Sequence, residues 1–204
     1  MTQGRLFIIS GPSAVGKGTI VRQLLESSDR VSLSVSATTR KPREGEEEGI
    51  HYYFLKDEEF QEKVEQNGFL EHAEVHGHCY GTPKAPVLEQ LEQGRDVILE
   101  IDVQGAMQVK ESFASGTYIF ILPPSLEELR NRILNRGTES PEDVELRMGK
   151  AMAEMAYLDR YDYYVVNDDL ASAVETVQNI MKAQHQKIDD QAEELLNMYK
   201  GENA

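Results

Sequence analysis

Residues 6–19 read LFIISGPSAVGKGT, and the fold turns on how that stretch is understood. Leu6, Phe7, Ile8 and Ile9 form an uninterrupted apolar run, as a strand buried on both faces requires. Residues 17–27 place Ile20, Val21, Leu24 and Leu25 at helical spacing. Between strand and helix lies the pattern Gly-x-x-x-x-Gly-Lys, residues 11–17, in the context that gives it meaning. A tight turn needs small residues but no lysine. A loop whose backbone N–H groups converge on an anion, at the positive end of a helix, uses both. Gly11, Pro12, Ser13, Ala14, Val15, Gly16, Lys17, Gly18 and Thr19 therefore read as a polyphosphate-binding loop. A Ser or Thr usually follows the lysine directly; here Gly18 intervenes and Thr19 comes next. The hydroxyl that ordinarily holds Mg²⁺ is displaced, so the ion would rest mainly on phosphate oxygens and water.

Outward from the loop, strands alternate with helices. Strands are expected at residues 31–37, 96–102, 118–122 and 163–166. Helices are expected at 86–93, 103–113, 126–135, 143–158 and from 170 onward. That rhythm implies an α/β fold: a parallel sheet core flanked by helices. Residues 37–82 break it with short strands and little helix, which reads as an inserted mixed, β-rich subdomain. The 204 residues fit one domain. No apolar run reaches ~18 residues and none resembles a secretory leader, so no membrane span is expected. The lone Cys79 has no partner for an internal disulfide, which points to a reducing cytoplasm.

The net charge is −15, from 36 acids against 21 bases, and it argues against nucleic acid and anionic membranes as partners. Phosphate binding then needs a local basic cluster, and residues 38–43, TTRKPR, supply one with Arg40, Lys41 and Arg43. Glu100 and Asp102 alternate on an apolar strand and should share a face, as a structural ion pair or as part of a site. His76, His78 and Cys79 lack the second ligand pair of a zinc site. On the terminal helix Val174, Val177, Ile180 and Met181 make an apolar stripe that could pack on the core or on another subunit, so a homodimer stays open.

Seven stretches taken together carry a resemblance: Gly11-Pro12-Ser13, Lys17-Gly18-Thr19, residues 36–43 (SATTRKPR), 69–73 (FLEHA), Tyr80-Gly81-Thr82, 100–105 (EIDVQG) and 166–169 (VNDD). In order and in residue type the chain resembles the guanylate kinase family up to about residue 169. The resemblance implies a P-loop core at about 1–36, 83–126 and 149–204, a GMP-binding subdomain at about 37–82 and a small helical lid at about 127–148. It implies Mg²⁺-dependent transfer of a phosphoryl group from ATP to GMP or dGMP, with residues 11–19 on ATP. Ser36, Glu71 and Thr82 match positions for the base, and Arg40, Arg43, Tyr52 and Tyr80 match positions for the GMP phosphate. Glu100 and Asp102 match positions beside GMP and magnesium, where Thr19 or Asp102 could hold the ion. Arg132, Arg136 and Arg147 match lid arginines that, with Lys17 and Arg40, act on the transferring group. Ala14 departs from the family's usual glycine, which matters only if the loop needs a positive φ there. A kinase-like module that binds phosphopeptides without catalysis is the alternative, and the intact Lys17 and lid arginines count against it.

Overall fold

The computed structural model describes residues 3–135, 140–188 and 192–200. In chain order the elements begin β1 (Leu6–Ser10), α1 (Lys17–Ser27), β2 (Val31–Leu33), β3 (Ala37–Thr38), β4 (Tyr53–Phe54), α2 (Asp57–Glu65), β5 (Phe69–Val75) and β6 (His78–Pro83). They continue with α3 (Lys84–Glu92), β7 (Asp96–Glu100), α4 (Val103–Ser112), β8 (Thr117–Leu122), α5 (Leu126–Leu134), α6 (Pro141–Met155), β9 (Tyr163–Val166), α7 (Leu170–Gln184) and α8 (Ala192–Lys200).

β1 sits in the middle of a five-stranded sheet of order β2-β7-β1-β8-β9, parallel throughout. Its side chains alternate between two covered faces. Phe7 and Ile9 join Ile20, Val21 and Leu24 of α1 and Val174, Val177 and Met181 of α7. Leu6 and Ile8 join Val87 and Leu91 of α3 and Ala106 and Val109 of α4. The apolar stripe of α7 is thus spent on the sheet. Among the described residues no helix is long and apolar enough to cross a membrane.

The second sheet, β4-β3-β6-β5, is mixed: β3 runs parallel to β4 and antiparallel to β6, and β5 and β6 form a hairpin. It has its own small core of Ala37, Phe60 and Phe69, the two rings stacked with centroids 4.4 Å apart. A third cluster joins Leu129 and Ile133 of α5 to Val144, Met148 and Ala151 of α6.

Two expectations need correction. The strand expected at 31–37 is two strands in different sheets. Ser34 N–H donates to Ile98 O at 2.9 Å, after which the chain leaves β7 and reappears as β3. The single terminal helix expected from residue 170 is likewise two. α7 stops at Gln184, and His185, its C-cap, turns its ring onto buried Asp96 at 2.9 Å.

Phe60→Ala would empty the centre of the small core, at a cost of roughly 3–5 kcal/mol. Because that core is separate from the main sheet, amide exchange should accelerate in β3–β6 and stay slow in β1, β7 and β8. Uniform acceleration across both sheets would contradict separate cores.

Candidate active site

The glycine loop leaves the C-terminal end of β1 and is shaped by close approach. At Gly11 (φ 145) an added Cβ would stand 2.3 Å from Ile121 O, and at Gly16 (φ 97) 2.4 Å from Asn167 Nδ2. Only glycine fits either place. Ala14 also has a positive φ, 66°, so the condition attached to it in the sequence is met. An L-residue there carries roughly 1–2 kcal/mol of strain. Its methyl packs against the α5–α6 cluster, which offsets part of that. Val15 is fully buried in the main core, and its carbonyl accepts from Asn167 Nδ2 at 2.8 Å and Arg132 Nη1 at 3.4 Å. Glu154 of α6 lies near the backbone of Ser13, which favours its charged form. The loop's conformation is thus held by α5, α6 and the segment after β9.

Lys17 opens α1 and lies back across the loop, Nζ donating to Gly11 O and, at 3.2 Å, to Pro12 O. Gly18 lies beside Glu100, where an added Cβ would make an ordinary contact with Oε1 at 3.4 Å. Thr19 is exposed on the first turn of α1. Partial desolvation raises the Glu100 carboxyl above the usual range, and Lys17 pulls it the other way. Here a sequence expectation fails. Glu100 and Asp102 do not share a strand face, because β7 ends at Glu100 and Asp102 is the N-cap of α4, accepting from Gly105 N at 2.8 Å. The strand geometry gives way to capping, which satisfies an otherwise orphaned helix N–H. Glu100 therefore faces the glycine loop, while Asp102 faces Glu71.

Glu71 of β5 is paired across the hairpin with buried Thr82 of β6, whose hydroxyl donates to Glu71 Oε1 at 2.6 Å. Burial pushes the Glu71 carboxyl above its ordinary value of 4.5; Asp102 adds to the rise and Thr82 opposes it. Gly105 is the other wall, where a Cβ would stand 3.2 Å from Glu71 Oε2. Ser36 lies between β2 and β3, its carbonyl accepting from Tyr53 N at 2.9 Å. Farther along the small sheet, Arg40 lies over the Tyr52 ring, Cζ 5.4 Å from its centroid. Tyr52 meets Tyr80 edge-on at 6.2 Å. Arg43 is exposed beside them on the loop after β3.

Of the arginines expected in a lid, Arg132 lies on the glycine loop, and its Nη2 also donates to Asn167 O at 3.0 Å. Arg147 stands on α6, where its charge is felt by Asp143 one turn earlier. Arg136 lies outside the described residues. Four further residues belong to this region and were not singled out as site residues. Asn167 was visible only as part of a motif. Ser10 donates to Ile101 O at 3.0 Å. Burial pushes the Tyr161 hydroxyl to about 12. Glu154 is raised by desolvation, its Oε2 buried without a hydrogen bond among the described residues. Nothing in the local sequence marks these three. Among the described residues, no three His, Cys, Asp or Glu side chains are grouped to hold a metal by themselves.

A family model described as guanylate kinase matches residues 3–184. The chain is 52% identical over 189 residues to a guanylate kinase of Clostridium tetani, covering 93% of this chain and 90% of that protein. It is 53% identical over 187 residues to one from Caldanaerobacter subterraneus, covering 92% and 91%. The fold is similar to the crystal structure of guanylate kinase from Anaplasma phagocytophilum, with TM-score 0.73, 34% identity, and 96% and 94% of the two chains covered.

Ala14→Gly should leave stability within about 1 kcal/mol of the parent. Relief of backbone strain is offset by the freer unfolded chain and the lost methyl contact. Urea unfolding measures it. A loss of more than about 2 kcal/mol would mean that the methyl contact, and not the strain, dominates.

Proposed function

The chain belongs to the guanylate kinase family, and we infer from this that it transfers the γ-phosphoryl group of ATP to GMP, giving ADP and GDP. One observation carries the substrate reading: a largely desolvated carboxylate, Glu71, on β5 of the small sheet, held by Thr82 and walled by Gly105 of α4. Guanine offers N1–H and N2–H as donors and O6 as an acceptor. Glu71 suits the donors. The Thr82 proton is committed to Glu71, so the O6 contact falls to Ser36. Adenine would set its N1 lone pair against the carboxylate and leave buried polar groups unmatched, which can cost a factor of ~10⁴ or more.

In this reading Arg40, Arg43, Tyr52 and Tyr80 hold the GMP phosphate. Residues 11–19 hold the ATP phosphates, with Lys17 leaving the loop's own carbonyls for the β- and γ-oxygens. Arg132, Arg136 and Arg147 neutralise charge on the transferring group and exclude water as the lid, about residues 127–148, comes over the loop. No acidic catalytic base is required, because the attacking phosphate oxygen is already ionised. The GMP-binding unit is about residues 37–82 and the remainder is core. Glu100 beside Gly18, Asp102 at the N-cap of α4 and the Thr19 hydroxyl on α1 are hard oxygen donors. They suit a hydrated Mg²⁺ carried largely by ATP, which when bound would supply charge neutralisation at the phosphates. The substrates and the single cysteine fit a cytoplasmic enzyme. A module that only binds phosphopeptides would need neither Lys17 nor the lid arginines.

ADP release measured with ATP and a panel of GMP, dGMP, AMP, CMP and UMP tests this reading. GMP should exceed AMP in kcat/KM by a factor of ~10⁴. Equal values would refute the base pocket.

The raised Glu71 pKa makes a second prediction. Only the carboxylate accepts from both guanine donors, so guanosine binding should be intact at neutral pH. It should weaken as pH falls through a midpoint above 4.5, the ordinary value. Guanosine has no phosphate to titrate, so the effect belongs to the base pocket. Guanosine inhibition measured against pH should show this limb in the parent and lose it in Glu71→Gln; a limb that survives in the variant would assign it elsewhere.

A further inference from the structure

Residues 41–48 are exposed with one exception, Glu46. It stands first in the run Glu46-Glu47-Glu48, which by composition alone reads as a solvated loop. Its carboxylate instead grips Arg40 with both oxygens: Nη2 donates to Oε1 at 2.9 Å and Nη1 to Oε2 at 3.0 Å. The two side chains are only 13% and 18% exposed. Oε2 also accepts the backbone N–H of Arg43 at 2.8 Å. The turn that makes this possible is closed from the other side by Glu46 N–H donating to Arg43 O at 3.1 Å. Gly45 provides the positive φ, 83°, at the turn's third residue. The Arg40 hydrogen bonds, with the Arg43 N–H, hold the Glu46 carboxyl at about 2, so it stays charged at any physiological pH.

The geometry points to Glu46 as a positioning residue for the GMP phosphate, a proposal that rests on the reading of Arg40 and Arg43 as phosphate ligands. Glu46 takes one N–H from each terminal nitrogen of Arg40, and Lys41 O takes the second from Nη1 at 2.8 Å. What remains is the side edge, Nε–H with the outer N–H of Nη2, a fork of the spacing that grips phosphate oxygens in pairs. Tyr52 lies under the same guanidinium, and Tyr80 is near enough to favour its charged form. A long, flexible arginine would otherwise lose rotamer freedom on binding. Here Glu46 fixes the Arg40 fork and the Arg43 backbone through a single carboxylate, before any ligand arrives.

The test compares GMP with guanosine, which shares the base and lacks the phosphate. Calorimetric titration of the full chain should show Glu46→Ala weakening GMP about ten- to hundredfold while guanosine is unchanged. Glu46→Gln, which keeps an acceptor for the Arg43 N–H, should fall between Glu46→Ala and the parent. Arg40→Ala is run alongside. If it lowers the GMP-to-guanosine ratio and Glu46→Ala does not, the positioning role is overturned and the phosphate reading survives. If neither variant moves the ratio, the reading of Arg40 fails and takes this proposal with it. Tighter GMP binding in Glu46→Ala would make the carboxylate a competitor of the phosphate, and equal loss of both ligands in both Glu46 variants would make it merely structural; either overturns the proposal.

Discussion

A loop that turns its N–H groups toward a phosphate must have its other atoms held by the rest of the protein. In this chain the hold is concentrated on Val15. The side chain is buried in the main core, and the carbonyl accepts from Asn167 and Arg132. Asn167 comes in after β9 and also crowds Gly16, where no Cβ fits. Arg132 comes from α5, and Glu154 of α6 lies near Ser13. Strands and helices far apart in sequence therefore converge on a few backbone atoms. Rigid burial of β1 on both faces gives that convergence a fixed platform.

The same constraint links α5 and α6 to the loop. The α5–α6 cluster packs on the Ala14 methyl, while Arg132 of α5 bridges Val15 and Asn167. Apolar packing and charge thus approach the loop from one side. A shift of α5 changes the loop's hydrogen bonds and its packing together. In phosphoryl transfer, where positioning and electrostatics do most of the work, such coupling matters more than a further reactive group would.

The small sheet follows a different physical logic. Its own core is slight, and much of its polar surface is organised by side-chain hydrogen bonds instead. Glu46 grips Arg40, Glu48 accepts from Phe54 N at 2.8 Å, and Thr82 is bound to Glu71. An acidic run that composition assigns to solvent is in part a set of backbone and arginine acceptors. This is why charge clustering singles out Arg40 and Arg43 yet says nothing of Glu46: the sign of a charge is visible in a sequence, and its partner six residues away is not.

The strand-loop-helix origin of the site was legible in residues 6–19 because periodicity and glycine placement are local properties. So was the alternation of strands and helices, since apolar spacing reports which faces are covered. Motif order added the family and, through it, the positions proposed for the base pocket and the lid. Other features were decided only in three dimensions. The segment at 31–37 divides between two sheets because Ser34 makes the last bond to β7 before the chain departs. Asp102 leaves the strand because capping α4 satisfies a backbone N–H. Ala14 takes a positive φ in a loop that is pinned at its next residue, Val15, by Asn167 and Arg132. Each of these depends on which hydrogen-bond partner becomes available once distant segments meet, and local sequence carries no record of that meeting.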